Sequence, residues 1–234
     1  MSSVELTLAE APLSARATGA LYWPATSVLC VSDLHLGRTE RIAREGGQII
    51  PPYENTDTLQ RLDDEIQALN PATVICLGDS FDDLAATKSL TDIEVDWITR
   101  LQAGREWIWV EGNHDPAPLN LGGTHRETLH IEALTFRHIT DGTTTGEITG
   151  HYHPKATIPA RSRSVTRACF LFDKTRLIMP AFGTYTGGLN VARAPLSTMF
   201  TANAQVVLTG TTARCFTLGP RGQARSNPAV SSSG

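Results

Sequence analysis

Three short apolar runs constrain the fold of this chain more than any other feature: Val28-Leu29-Cys30-Val31, Thr73-Val74-Ile75-Cys76-Leu77 and Trp107-Ile108-Trp109-Val110. Each is too short for a helix and rich in β-branched, aromatic and aliphatic side chains, which predicts buried strands. Between the first two, Leu59, Leu62, Ile66 and Leu69 recur at helical spacing, with Asn55 or Thr56 as N-cap and Pro71 beyond the end. That segment is expected to be a crossover helix between parallel strands. A second helix is expected from about Thr91 to Gln102, burying Ile93, Trp97, Ile98 and Leu101 and ended by Gly104.

Each strand-like run stops at a small or polar residue and then presents carboxylate, imidazole or amide. The clusters are Asp33-Leu-His35, Gly78-Asp79-Ser80-Phe81-Asp82 and Gly112-Asn113-His114-Asp115. Ligands of open α/β sheets bind beyond the carboxyl ends of the strands, so these residues are expected at one rim. Two more clusters follow, His138 at the end of Leu134–His138 and Gly150-His151-Tyr152-His153. His151 and His153 alternate on an extended segment, which places both imidazoles on one face.

From about residue 130 the pattern changes to short strands, His130–Phe136, Glu147–Thr149, Cys169–Phe172, Arg176–Met179, Gln205–Thr209 and Arg214–Leu218. They predict a second, mainly antiparallel sheet packed on the first. The 234 residues, 41% of them hydrophobic, suffice for one large domain, read as 1–218. The Gly-, Pro- and Ser-rich tail 219–234 is expected to be disordered.

A net charge of −4 excludes a strongly basic, non-specific nucleic-acid binder but leaves room for a local basic patch. Arg161, Arg163 and Arg167 form a notable such stretch, and they read equally as phosphate contacts or as a solvated face. Arg38, behind the first cluster, is a fourth candidate for substrate contact. Cys30, Cys76, Cys169 and Cys215 lack C-x-x-C spacing, so a zinc knuckle is not expected and reduced thiols are. With no signal peptide in the first twenty residues and no span apolar enough for a bilayer, the expectation is a cytoplasmic protein without a membrane partner.

The clusters together describe a two-metal hydrolase site. Asp79 follows a glycine that permits a sharp turn, and its two oxygens can reach two cations. Asn113 offers a neutral oxygen, and His114 beside it can face substrate as a proton donor, with Asp115 to orient it. Carboxylate, imidazole and amide together favour Mn²⁺, Fe²⁺ or Zn²⁺ over Ca²⁺. His125 and His130 follow neither glycine nor carboxylate at a strand end and are left out of the set.

In order and kind, D-x-H, G-D-x-x-D, G-N-H-D, a lone His and G-H-x-H resemble the calcineurin-like metallophosphoesterase superfamily. The resemblance implies an α/β/β/α sandwich, two packed mixed sheets flanked by helices, with a dinuclear site at the strand ends. It implies Asp33, His35, Asp79 and His153 on one metal, and Asp79, Asn113, His138 and His151 on the other, with Mn²⁺ the first choice.

A narrower resemblance runs to about Val191. Gly19–Pro24, Pro51–Tyr53, Gly78–Phe81, Leu134–His138 and Met179–Asn190 are similar to the ligase-associated DNA damage response endonuclease family, which is bacterial and grouped with a DNA ligase, a helicase and an exonuclease-like partner. It implies a phosphodiesterase or endonuclease acting on DNA. Asp82 stands where that family favours His, leaving it either beside the metal ligands or behind them. A small-molecule nucleotide or pyrophosphate phosphohydrolase and a non-catalytic metal-binding partner are the alternative expectations. Self-association is left open.

Overall fold

The computed structural model describes residues 2–47, 51–83, 85–114, 121–160, 163–201, 203–219 and 224–226. Its first sheet is laid down in chain order: β1 (Ser3–Leu8), β2 (Ala11–Arg16), β3 (Leu21–Trp23), β4 (Val28–Ser32), β5 (Thr73–Leu77), β6 (Glu106–Val110) and β7 (Thr124–Arg126). β1 to β4 pair antiparallel, whereas β4 to β7 run parallel. The parallel strands β4 to β6 are buried on both faces, which is why they read as unbroken apolar runs. Cys30, Ile75 and Ile108 point into the layer between the sheets, and Leu29, Val31, Val74, Trp107 and Trp109 into a layer under the helices.

That outer layer consists of α1 (Arg38–Arg44), α2 (Glu54–Leu69), α3 (Ala86–Ser89) and α4 (Asp92–Gln102). α2 crosses from β4 to β5 and buries Leu59, Leu62 and Ile66, the predicted stripe. Its expected cap is different: Asn55 Oδ1 accepts from Gly37 N at 2.8 Å and Glu54 Oε1 from Thr39 N at 2.9 Å, so the first turn of α2 satisfies orphan amides at the start of α1. α4 starts at a capping box, in which Thr91 Oγ1 accepts from Glu94 N and the Glu94 carboxylate accepts from Thr91 N. Ile93 is 77% exposed and does not join the buried stripe. Five positions before Ile98, it is turned about 140° away from that contact.

The second sheet holds β8 (Thr128–Ile131), β9 (Leu134–Arg137), β10 (Glu147–Thr149), β11 (Lys155–Ala160), β12 (Arg163–Phe172), β13 (Arg176–Ile178), β14 (Gln205–Leu208), β15 (Arg214–Leu218) and β16 (Ala224–Ser226). Its spatial order is β16-β15-β14-β12-β13-β10-β9-β8, with β11 paired to β12. β10 runs parallel to β9 and β13, and the other pairs are antiparallel. The run expected as one strand, His130–Phe136, is a hairpin: the chain reverses at Glu132, with φ +50°. Three residues of the tail, Ala224–Ser226, are an edge strand on β15 where disorder was expected, and 227–234 lie outside the described residues. β1 to β3 were not anticipated; the alternation of Val4, Leu6 and Leu8 is their signal.

Phe136, Ile148, Phe170, Leu177 and Met179 fill the space between the sheets. On the far side of the second sheet Cys169, Leu171, Ile178 and Val206 pack under α5 (Leu196–Met199) and its flanking loops. All four cysteines are free, and burial pushes the Cys30 and Cys169 thiols far above their usual range, which removes them as ligands. Among the described residues no helix is long and apolar enough to cross a membrane.

Candidate metal centre

The parallel direction of β4, β5 and β6 carries Asp33, His35, Asp79, Asn113 and His114 to one rim, and the parallel pair β9 and β10 delivers His138, His151 and His153 to the same place. Two donor groups result. In the first, His153 Nε2 lies 3.1 Å from Asp33 Oδ1 and 3.4 Å from His35 Nε2. In the second, His138 Nε2 lies 3.3 Å from Asp79 Oδ2, 3.2 Å from His151 Nδ1 and 2.9 Å from Asn113 Oδ1. His138 Nδ1, 3.8 Å from Asp33 Oδ1, joins the two.

Five of these donors sit on left-handed backbone, with φ of +52° at Asp33, +47° at His35, +40° at Asp79, +67° at His151 and +46° at His153. Each such residue costs about 1 kcal/mol, and strain of this kind concentrates where function fixes geometry. Neighbouring segments hold it in place. Asp33 N donates to Gly78 O at 3.2 Å and His35 N to Asp79 O at 3.0 Å, tying the loop after β4 to the loop after β5. Gly78 has φ +68°, and a Cβ there would overlap the His138 ring. At Gly150 a Cβ would strike Ser32 Oγ and the Asp33 carboxylate.

The segment Met179–Asn190 has a structural role that its sequence does not explain. Phe182 N donates to Ser32 O at 2.7 Å and Gly183 N to Asp33 O at 3.1 Å, while Leu189 N donates to Tyr152 O and His153 O, both at 3.2 Å. A Cβ on Gly183 would meet Leu34 O, and one on Gly188 would meet His153 O. The glycines let this segment buttress both loops of the first donor group.

Protonation follows from the same contacts. Burial works to raise the Asp79 carboxyl, but the hydrogen bonds from the His138 imidazole and the His114 backbone N–H outweigh it and hold the group down to about 2. Asp33 is likewise held below the usual carboxylate range, against its burial, by His153, His138 and the Ser32 hydroxyl. Burial, with the nearby His138, lowers His151. Ionised carboxylates beside neutral imidazole are the donor form that a divalent cation requires.

Asp82 is the residue whose role the sequence left open. Fully buried, it lies behind the first donor group: Oδ1 is 2.8 Å from His35 Nδ1 and 3.0 Å from Arg38 Nη1, and Oδ2 accepts from Arg41 Nε. The contact puts the His35 proton on Nδ1 and leaves Nε2 as the lone pair facing His153. Burial would raise the Asp82 carboxyl, and His35 with the two arginines keeps it ionised. Asp82→Asn is expected to weaken Mn²⁺ affinity about 10- to 100-fold in a metal titration, with much less change in kcat at saturating metal. Unchanged affinity would show that Asp82 only braces α1.

His114 Nδ1 lies 2.9 Å from Asp82 O, a carbonyl that can only accept, so Nδ1 carries hydrogen and Nε2 faces the centre, 4.0 Å from Asp79 Oδ2. His114 is therefore oriented by Asp82; Asp115, expected in that role, lies outside the described residues. Arg38 and Arg41 pair with Asp82, and Arg44 with Asp83, so the cations of α1 are neutralised by carboxylates. Arg161 and the Arg163 side chain lie outside the described residues, and Arg167 is exposed on β12. His125 stacks on Trp109 and His130 bonds Thr135 Oγ1, both apart from the donor groups.

Among known proteins, the sequence profile of the calcineurin-like phosphoesterases matches residues 26–161, more than half of the chain. A crystal structure of the nuclease MPE of Pseudomonas putida superposes with a TM-score of 0.69 at 25% identity, covering 88% of this chain and 96% of that one. A conserved protein of Streptococcus pneumoniae TIGR4, described as a predicted phosphoesterase, gives a TM-score of only 0.31 at 12% identity over 85% of this chain and 91% of its own. No curated protein matches.

Proposed function

The chain belongs to the calcineurin-like phosphoesterase family, and from that footing we propose that it is a dinuclear-metal phosphodiesterase that cuts nucleic acid, with DNA as substrate and repair as setting. The observation that carries this reading is the pair of adjoining donor groups with His114 Nε2 facing the carboxylate of Asp79. Asp33, His35 and His153 would hold one cation, Asn113, His138 and His151 the other, and Asp79 would bridge. Mn²⁺ is the first choice, ahead of Fe²⁺ or Zn²⁺. Bound as a pair, the cations supply Lewis acidity at the phosphoryl oxygens and an activated water for in-line attack.

The chain's own groups perform the rest. As imidazolium, His114 hands the Nε2 proton to the departing oxygen and is left neutral, with its Nδ1–H still held by the Asp82 carbonyl. The preference for a diester follows from charge. Arg38, Arg41 and Arg44 are already paired with carboxylates, so no arginine of α1 is left to neutralise the second negative charge of a monoester. The nuclease character of the Pseudomonas putida protein supports a nucleic-acid substrate. DNA ligase, helicase and exonuclease-like partners complete the proposed setting.

Initial rates on bis-p-nitrophenyl phosphate and p-nitrophenyl phosphate, after chelator stripping and return of Mn²⁺, test this reading. Hydrolysis should vanish with the metal, return with Mn²⁺ and favour the diester by about tenfold or more. Monoester preference, or activity that survives chelation, would overturn it; cleavage of pyrophosphates alone would point to a small nucleotide substrate.

A further inference from the structure

The rim that carries the metal centre extends past it to further strand ends. β3 runs antiparallel to β4, so the turn before Leu21 lies at the same rim as Asp33. β12 runs antiparallel to β13, and β14 antiparallel to β12, so the stretch of β12 around Arg167, the end of β14 and the start of β15 also lie there. Before Cys169, β12 pairs with β11 over Arg163–Ala168 as a two-stranded arm that starts two residues after His153, and from Cys169 onward it pairs with β14. These ends surround a groove of about 960 Å³, whose lining includes Phe182 and Gly183, the residues whose amides bond Ser32 and Asp33 of the centre's first loop.

The groove is cationic in an acidic chain. Lys155, Arg167 and Arg214 line it, and no aspartate or glutamate is found in its lining among the described residues. Arg61 also reaches it but is already committed, stacked 4.6 Å over the Phe182 ring, donating to Phe182 O at 2.7 Å and paired with Asp57. Arg167 and Arg214 are exposed and have no ion-pair partner among the described residues. Tyr185, 44% exposed, adds an aromatic ring to the same lining. By contrast, the hollow on the other flank, beside Asn113 and His138, includes Glu111 and Glu127.

Unpaired cations beside an exposed ring form the surface that tracks a single nucleic-acid strand, with charge on the phosphates and a flat face for a base. We propose that this groove is a second phosphate-binding site, one that holds the backbone of a single nucleic-acid strand next to the metal centre and makes a long strand a better ligand than a short one. The proposal rests on the phosphodiesterase reading of the centre. Three separate elements, β11, β12 and β15, supply the charges, so they converge only in the folded chain.

The test is fluorescence anisotropy of the Mn²⁺-loaded full chain with nuclease-resistant phosphorothioate oligothymidylates of about 20 and about 4 nucleotides. The longer strand should bind more tightly. Arg214→Glu and Arg167→Glu should each weaken it about tenfold or more and flatten the salt dependence by about 0.7 log units for each phosphate no longer neutralised. Arg214→Glu should leave bis-p-nitrophenyl phosphate hydrolysis within about twofold of wild type, which also shows that the variant folds. Equal affinity for both lengths, no loss in either variant, or tighter binding of a duplex would overturn the proposal. Loss of the phosphodiesterase reading is a separate outcome: wild type would fail to hydrolyse the small diester while the strand still bound and the variants still weakened it.

Discussion

Asp79→Asn is expected to lower kcat/KM for a phosphodiester by about 10³-fold or more, the largest effect of any single substitution in the centre. One carboxylate oxygen of Asp79 lies 3.3 Å from His138 Nε2, and the other accepts the His114 backbone N–H at 2.9 Å, so the residue serves the second donor group and the loop that carries the proton donor. Loss of its charge weakens the hold on a cation whose electrostatic contribution to the transition state is several kcal/mol, and about 4 kcal/mol corresponds to 10³ in rate. Asparagine is the informative replacement, because it preserves the shape and tolerates the left-handed backbone at φ +40° that alanine would strain. Metal analysis of the purified variant should find less than the wild-type content. Wild-type rate and metal content together would remove Asp79 from the centre.

His114→Ala is expected to separate substrates by their leaving groups. A dinucleotide releases an alkoxide that needs a proton, so removal of the donor should cost about 10²- to 10⁴-fold in kcat. On bis-p-nitrophenyl phosphate, whose phenolate leaves without help, the loss should stay below about tenfold. The geometry behind this is the Nδ1–H held by Asp82 O at 2.9 Å, which leaves Nε2 as the group that meets the substrate. Equal losses on both substrates would make His114 a stabiliser of phosphoryl charge, and no loss on either would take it out of the reaction.

Local chemistry made the centre readable to the extent that it did. Thr73–Leu77 was recovered to the residue as β5, and the strand after Gly104 nearly so, because strands buried on both faces must be continuously apolar. All seven candidate ligands come together within the two donor groups or, for Asn113, against His138. Readings that depended on a partner element fared differently. Asn55, expected to cap its own helix, serves α1 instead together with Glu54, and the Asp82 carbonyl that bonds the His114 ring is not singled out by the sequence.

Residue type and chain order were enough to bring the candidate donors to one rim, since a carboxylate or imidazole after a buried strand can be placed at a sheet rim by alternation and connectivity alone. Tertiary structure decided how those donors are held and what surrounds them. Asp82 finds His35 across two loops, the glycines of Gly183–Gly188 press on the loops of Asp33 and His153, and Lys155, Arg167 and Arg214 converge on one groove from three strands. The physical reason is reach. Periodicity reports which way a side chain faces within its own element, whereas a hydrogen bond or a shared field depends on atoms brought within a few ångströms by packing of elements far apart in the chain.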